Sequence, residues 1–157
     1  MKSVLITIVG LVSLGLSSPV APSEDLSLKK STDEYIFNIT LADFITIRNA
    51  AFEGIMLPDR LDWTSEGYEH MDTDLFRFAF DDACYRHDFG HLNFKKQNRY
   101  TEENKARLDM KLRNDMFIQC QSERYQAACE ASASLYYEAH RAFGERPTTE
   151  AEPKDEE

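Results

Sequence analysis

Apolar residues recur every three or four positions in four segments of the chain, and this spacing predicts four helices. The predicted helices cover residues 41–52, 78–95, 101–118 and 125–143. Residues typical of helix ends agree with these bounds, because Gly54 follows the first helix, Thr101 opens the third and Gly144 follows the fourth. No segment suggests a strand, so the sequence predicts an all-α fold. We expect a small helical bundle in which two antiparallel central helices are flanked by the first and last.

The two ends of the chain lack this helical pattern. Lys2 precedes an apolar run at residues 4–16, and small residues follow it, which predicts a secretory signal peptide over residues 1–18. The run is shorter than the roughly 20 residues that span a bilayer, which disfavours a membrane anchor. Residues 19–39 are expected to form a flexible N-terminal segment or pro-segment. Residues 145–157, with six acids against two bases, are expected to form an acidic disordered tail, which leaves a folded domain at 40–144.

The charge balance narrows the classes of partner. The chain has 18 basic and 28 acidic residues and a formal net charge of -10. Nucleic acid is disfavoured as a partner because contacts with phosphate need Lys and Arg. An acidic chain suits calcium or neutral lipid better than a strongly anionic membrane. We expect the protein to be a monomer.

Three cysteines and one sequon bear on covalent structure. Secretion favours oxidation, and Cys120 and Cys129 lie close together on either side of a polar turn, so we expect them to pair. Cys84 is then left over, and we expect it to be a small buried apolar residue. Asn38 opens the sequon Asn-Ile-Thr, which predicts a glycosylation site on the secretory route.

The second predicted helix carries the candidate chemistry. Helical spacing puts Cys84, His87, Asp88 and His91 on one broad face. A buried His and a buried Asp are both costly unless each has a partner. Asp109 offers one, because it lies on an otherwise apolar stripe of the third helix with Ala106, Leu112 and Met116. If the two helices pack antiparallel, Asp109 orients His87, which then acts as a general base; a structural pair is the alternative.

Asp88 lies beside His87 and suggests a cation site. The predicted loop before the second helix is rich in acids, and calcium accepts carboxylate and carbonyl oxygens in flexible geometry. An ordinary solvated acidic loop is the alternative interpretation.

Residues 81–94 also resemble a known signature. The string Asp-Asp-Ala-Cys-Tyr-Arg-His-Asp-Phe-Gly-His-Leu-Asn-Phe is similar to the Cys-x-Arg-His-Asp-Phe-Gly-Tyr-x-Asn-Tyr motif of the secreted fungal and bacterial phospholipases A2. Further segments resemble that family's first helix, calcium loop and third helix, namely residues 42–49, 62–67 and 101–109. The resemblance extends over roughly residues 40 to 143.

The resemblance implies a function and a set of roles. His87 would activate water, Asp109 would orient His87, and calcium would be held by Asp88, Glu66 and the carbonyl of Gly67. The reaction would release a fatty acid and a lysophospholipid from a phospholipid membrane surface or micelle. A disulfide between Cys120 and Cys129 also fits the family. The protein would be secreted and extracellular.

Three positions depart from the family pattern and leave alternatives open. Glu66 stands where the family has Asp, Tyr68 where it has a cysteine that would pair with Cys84, and His91 where it has an aromatic residue. A weakened calcium loop would suit a secreted binding module or effector on the same fold. His87 and His91 at i and i+4 also resemble a zinc hydrolase motif, with His140 or Asp109 as the third ligand. A Cys84 nucleophile is disfavoured because nothing in the sequence predicts a low thiol pKa.

Overall fold

The computed structural model describes residues 22–54, 60–65, 78–145 and 147. Five α-helices run in the order α1 (Pro22–Asp33), α2 (Leu41–Phe52), α3 (Asp81–Lys96), α4 (Glu102–Cys120) and α5 (Gln126–Phe143), with a π-helical turn at Glu34–Asn38. These ranges contain no strand, which confirms the all-α prediction. None of their helices is long and apolar enough to cross a membrane. The predicted signal peptide, residues Glu66 and Gly67, and most of the predicted tail lie outside the described residues.

The four predicted helices correspond to α2, α3, α4 and α5. The side chain of Thr40 accepts a hydrogen bond from the amide of Asp43 at the start of α2, and Thr101 accepts one from Asn104 at the start of α4. Each hydroxyl satisfies an amide that has no partner within its own helix, so it favours a helix start at that position. Helix α3 begins three residues later than predicted, at Asp81.

Helices α3 and α4 are antiparallel, as expected. The contacts run in opposite directions along the two helices, because Arg86 meets Asp115 whereas His87, one residue later, meets Asp109. Gly90 allows a close approach, since a Cβ there would lie 2.4 Å from Cδ2 of Leu108. The predicted disulfide between Cys120 and Cys129 is present and connects the end of α4 to the start of α5.

Among the described residues, the core consists of two apolar clusters, one on each side of the α3–α4 pair. The first lies against α5 and contains Phe80, Ala83, Cys84, Leu112, Met116, Cys120, Cys129 and Ala133. The second lies against the N-terminal segments and contains Ile36, Phe44, Phe89, Phe94 and Leu108. Cys84 is the cysteine outside the disulfide and is buried, as predicted. The apolar stripe predicted for the last helix is only partly buried, because Leu135 and Phe143 are exposed.

Residues 22–38 are helical, which differs from the flexible segment expected at 19–39, while the alternative of a pro-segment stays a prediction. Ile36 is fully buried, and Thr32 accepts a hydrogen bond from Gln97. Arg99 also donates to the carboxylate of Asp33 and to the carbonyl of Lys29. These contacts come from the end of α3 and the turn after it, so tertiary packing stabilises a segment whose own sequence is polar.

A buried ionic network joins α3 to α4. The guanidinium of Arg86 donates two hydrogen bonds to the carboxylate of Asp115 and a third to the carbonyl of Ile39. Lys111 donates to the same carboxylate from one turn earlier on α4. Arg86 and Asp115 are each about 1% exposed, so water does not solvate either charge and both depend on the partners in this network.

Candidate active site

His87 and Asp109 meet across the α3–α4 pair. Nε2 of His87 lies 3.0 Å from Oδ1 of Asp109, and their side chains are 10% and 3% exposed. Asp109 interrupts the apolar stripe of α4 as predicted, although Ala106 is exposed and does not belong to the buried face. An ionised carboxylate only accepts, so Nε2 of His87 carries the proton and Nδ1 remains as the basic nitrogen. This pair has the geometry of a general base and the group that orients it.

Lys105 contacts Asp109 from the other side and was not anticipated from the sequence. Its Nζ donates to Oδ2 of Asp109 at 2.6 Å and to the backbone carbonyl of His140 at 3.2 Å. Burial alone would raise the pKa of Asp109, but the hydrogen bonds from His87 and Lys105 outweigh it, so this pKa lies below its ordinary value. Asp109 is therefore ionised at neutral pH. The signal available in the sequence was the i, i+4 spacing of Lys105 and Asp109.

Two further histidines lie near His87. The ring of His140 is 5.0 Å from it on an edge-on approach, and the ring of His91 is 6.4 Å away and nearly parallel. His91 packs edge-on against Tyr100 at 4.5 Å, as an aromatic residue would. Burial lowers the pKa of both His91 and His140 to about 4, so both are neutral at pH 7. Within the described residues no three His, Cys, Asp or Glu side chains are arranged to hold a metal ion, so the zinc interpretation gains no support there.

The partial burial of His140 predicts that the stability of the fold is sensitive to acid. An unfolded chain protonates this imidazole near pH 6.5, but the folded chain does so only near pH 4. Between these values the unfolded state binds more protons, so the free energy of unfolding falls as the pH falls from 6.5 to about 4. His140→Phe should flatten this dependence by on the order of 2 kcal/mol, since the ring is only partly buried. Urea unfolding at pH 4.5 and at pH 7 measures the change in the free energy of unfolding between the two pH values. The same change in His140→Phe as in the wild type would contradict the prediction.

Asp88 is reached by the segment of residues 60–65. Ser65 donates to Oδ2 of Asp88 at 2.6 Å. Asn93 holds the same segment by two hydrogen bonds of 2.8 Å, one from the amide of Asp62 and one to its carbonyl. Trp63 packs on Phe89 at 4.4 Å between ring centroids. These contacts hold residues 62–65, which come just before Glu66 and Gly67 in the chain, against α3. Position 68 is a tyrosine, so it cannot form the family's disulfide with Cys84.

The structure is a small α-helical domain with a His–Asp pair on adjacent antiparallel helices. The family described as prokaryotic phospholipase A2 matches residues 32–144. A secretory phospholipase A2 of Beauveria bassiana is 36% identical over 140 residues, which cover 85% of this chain and 68% of that protein. A secretory phospholipase A2 of Arthroderma benhamiae is 28% identical over 142 residues, which cover 87% and 92%.

The chain belongs to the phospholipase A2 family and is an enzyme of that class. Its substrate class is therefore lipid. The resemblance of residues 81–94 to the secreted fungal and bacterial phospholipases A2 is confirmed.

Proposed function

We propose that this protein is a secreted, calcium-dependent phospholipase A2 that hydrolyses the sn-2 ester of glycerophospholipids by His87-activated water. The observation that carries the proposal is the 3.0 Å contact between His87 and a buried, ionised Asp109. A general base needs a fixed tautomer and a basic nitrogen directed to solvent or substrate, and this contact supports the first requirement. The secretory relatives support the route of export.

The side chains of the pair have distinct roles in the proposed reaction. Nδ1 of His87 takes a proton from water as the water oxygen attacks the ester carbonyl. Asp109 stabilises the resulting imidazolium and remains ionised. The imidazolium then returns the proton to the oxygen of the departing lysophospholipid. The products are a fatty acid and a lysophospholipid, so atoms and charge balance.

The residues near Asp88 fit calcium by their chemistry. Asp88 and Glu66 supply carboxylate oxygens and Gly67 a backbone carbonyl, and calcium prefers such hard oxygen donors. The hydrogen bond from Ser65 supports this set, because it brings the chain just before Glu66 to the carboxylate of Asp88. When bound, the ion would polarise the ester carbonyl and stabilise the negative charge that develops on its oxygen.

Calcium binding can be followed through Trp63, which is the single tryptophan of the chain. Trp63 lies two residues before Ser65 and packs on α3 beside Asp88, so we expect its emission to change saturably on calcium titration. Asp88→Asn removes one charged oxygen ligand and should weaken binding at least about tenfold. Glu66→Asp should keep or tighten it.

The matched control is Asp81→Asn, an exposed acid at the start of the same helix, which should titrate like the wild type. Unchanged binding in Asp88→Asn would contradict the calcium site. Loss of binding in Glu66→Asp would show that the loop ligand is misassigned.

The signal peptide and the glycosylation site predicted from the sequence belong to the same proposal. The signal peptide would direct the chain to the secretory route, where Asn38 would receive a glycan. Asn38 is exposed, and its Nδ2, the atom that a glycan would occupy, now donates only to the carboxylate of Glu34 among the contacts described. The substrate would be presented at a phospholipid surface or micelle, and the protein would act as a monomer.

A further inference from the structure

We infer that Lys105 is a positioning residue that holds Asp109 in the rotamer that orients His87. Lys105 is 7% exposed, and its ammonium is directed inward, onto the carboxylate of Asp109. Lysine side chains are rarely buried to this degree without a partner that requires them. The inference rests on the proposed role of His87 and Asp109, and it adds a residue to that pair.

The division of the two carboxylate oxygens is the first argument. Oδ1 of Asp109 accepts from His87, and Oδ2 accepts from Lys105. The terminal torsion of an aspartate is broad, so a single hydrogen bond leaves the carboxylate plane poorly defined. A donor on each oxygen defines that plane, and with it the direction of the acceptor presented to Nε2 of His87.

The second argument is how Lys105 is itself held. Its Nζ donates to the carbonyl of His140 at 3.2 Å, and the ring of His140 stands 5.0 Å from the ring of His87. Lys105 therefore connects the carboxylate of Asp109 on α4 to the backbone of α5. Because the acceptor on α5 is backbone, the position of the ammonium follows the position of the helix and not of a mobile side chain.

The charge of Lys105 argues for a geometric role. When His87 is neutral, the ammonium and the carboxylate of Asp109 balance. When His87 gains a proton, the positive charge of Lys105 opposes it, so Lys105 does not strengthen the base. What it contributes to the reaction is the placement of Asp109.

Helix α4 provides a matched control six residues further on. Lys111 and Asp115 have the same i, i+4 spacing as Lys105 and Asp109, and the lysine likewise donates to the aspartate. Asp115, however, faces Arg86 and not His87. Replacing each lysine by methionine removes the same donor from the same helix, but only one change touches the carboxylate that orients His87.

The test compares Lys105→Met with Lys111→Met in two measurements. The first is steady-state hydrolysis of phosphatidylcholine in mixed micelles with calcium. We expect Lys105→Met to lower kcat by about tenfold to a hundredfold with little change in KM, and Lys111→Met to change kcat less than about twofold. The second is the proton resonance of His87 Nε2 by ¹⁵N-edited NMR without substrate, which should shift or broaden in Lys105→Met and stay in place in Lys111→Met.

The outcomes separate the inference from the proposed function. Equal losses of kcat in the two variants, or an unchanged Nε2 resonance in Lys105→Met, would overturn the positioning role. If Lys105→Met does not fold, Lys105→Gln replaces it, because its amide is one atom too short to bridge Asp109 and the carbonyl of His140; the same losses are expected. If the wild type itself releases no fatty acid, the proposed function fails, while the resonance still decides the role of Lys105.

Discussion

His87→Ala is expected to lower calcium-dependent release of fatty acid from phosphatidylcholine vesicles by about 10²- to 10⁴-fold, the usual contribution of a general base. The imidazole is the basic group whose orientation Asp109 and the packing of α3 on α4 define. Its removal deletes the proton acceptor and the ring contacts with His140 and His91, but His87 belongs to neither apolar cluster of the described core, so the variant should remain folded. Circular dichroism at 222 nm verifies the fold of the sample in which the rate is measured.

His91→Phe is the matched control for that loss. His91 lies one turn further along α3 and packs on Tyr100, so an aromatic ring preserves its contact. We expect a mild effect on the rate. A loss as large as that of His87→Ala would instead favour a metal site that uses both histidines, and a fully active His87→Ala would exclude the proposed base.

Asp115→Ala is expected to lower the free energy of unfolding by about 3–5 kcal/mol, because it leaves the buried guanidinium of Arg86 without its counter-charge. The only remaining acceptor described for that guanidinium is the carbonyl of Ile39. Urea unfolding followed by circular dichroism measures the change.

Asp25→Ala removes the acid of a partly exposed surface pair with Lys29 and serves as the control. Such surface pairs contribute about 0–1 kcal/mol, so its curve should nearly overlie that of the wild type. A loss below about 1 kcal/mol in Asp115→Ala would show that Arg86 is solvated in some other way. In that case the ionic network would not be what fixes α3 against α4.

The helices α2 to α5 were predictable because each carries its own periodic signal. Apolar spacing and the caps at Thr40 and Thr101 are local properties, and the structure follows them within three residues. Helix α1 was missed for the opposite reason. Its sequence is polar, and contacts from Arg99 and Gln97, more than sixty residues away, hold it in place.

The candidate site was predictable only where polar residues interrupt an apolar face. That signal identified His87 and Asp109, and packing brought them together. Lys105 and Asn93 gave no such signal, because a lysine or asparagine on a helix is normally solvated. Their burial depends on where α5 and residues 60–65 pass, which no local pattern specifies.

The most direct test of the whole account is release of label from phosphatidylcholine vesicles that carry a labelled fatty acid at the sn-2 position. The purified wild type should release the label as free fatty acid in calcium, stop when a calcium chelator is added, and resume when calcium is restored. Release at the same rate in the chelator would contradict the role of calcium. Label that stays in the lysophospholipid would contradict hydrolysis at the sn-2 ester.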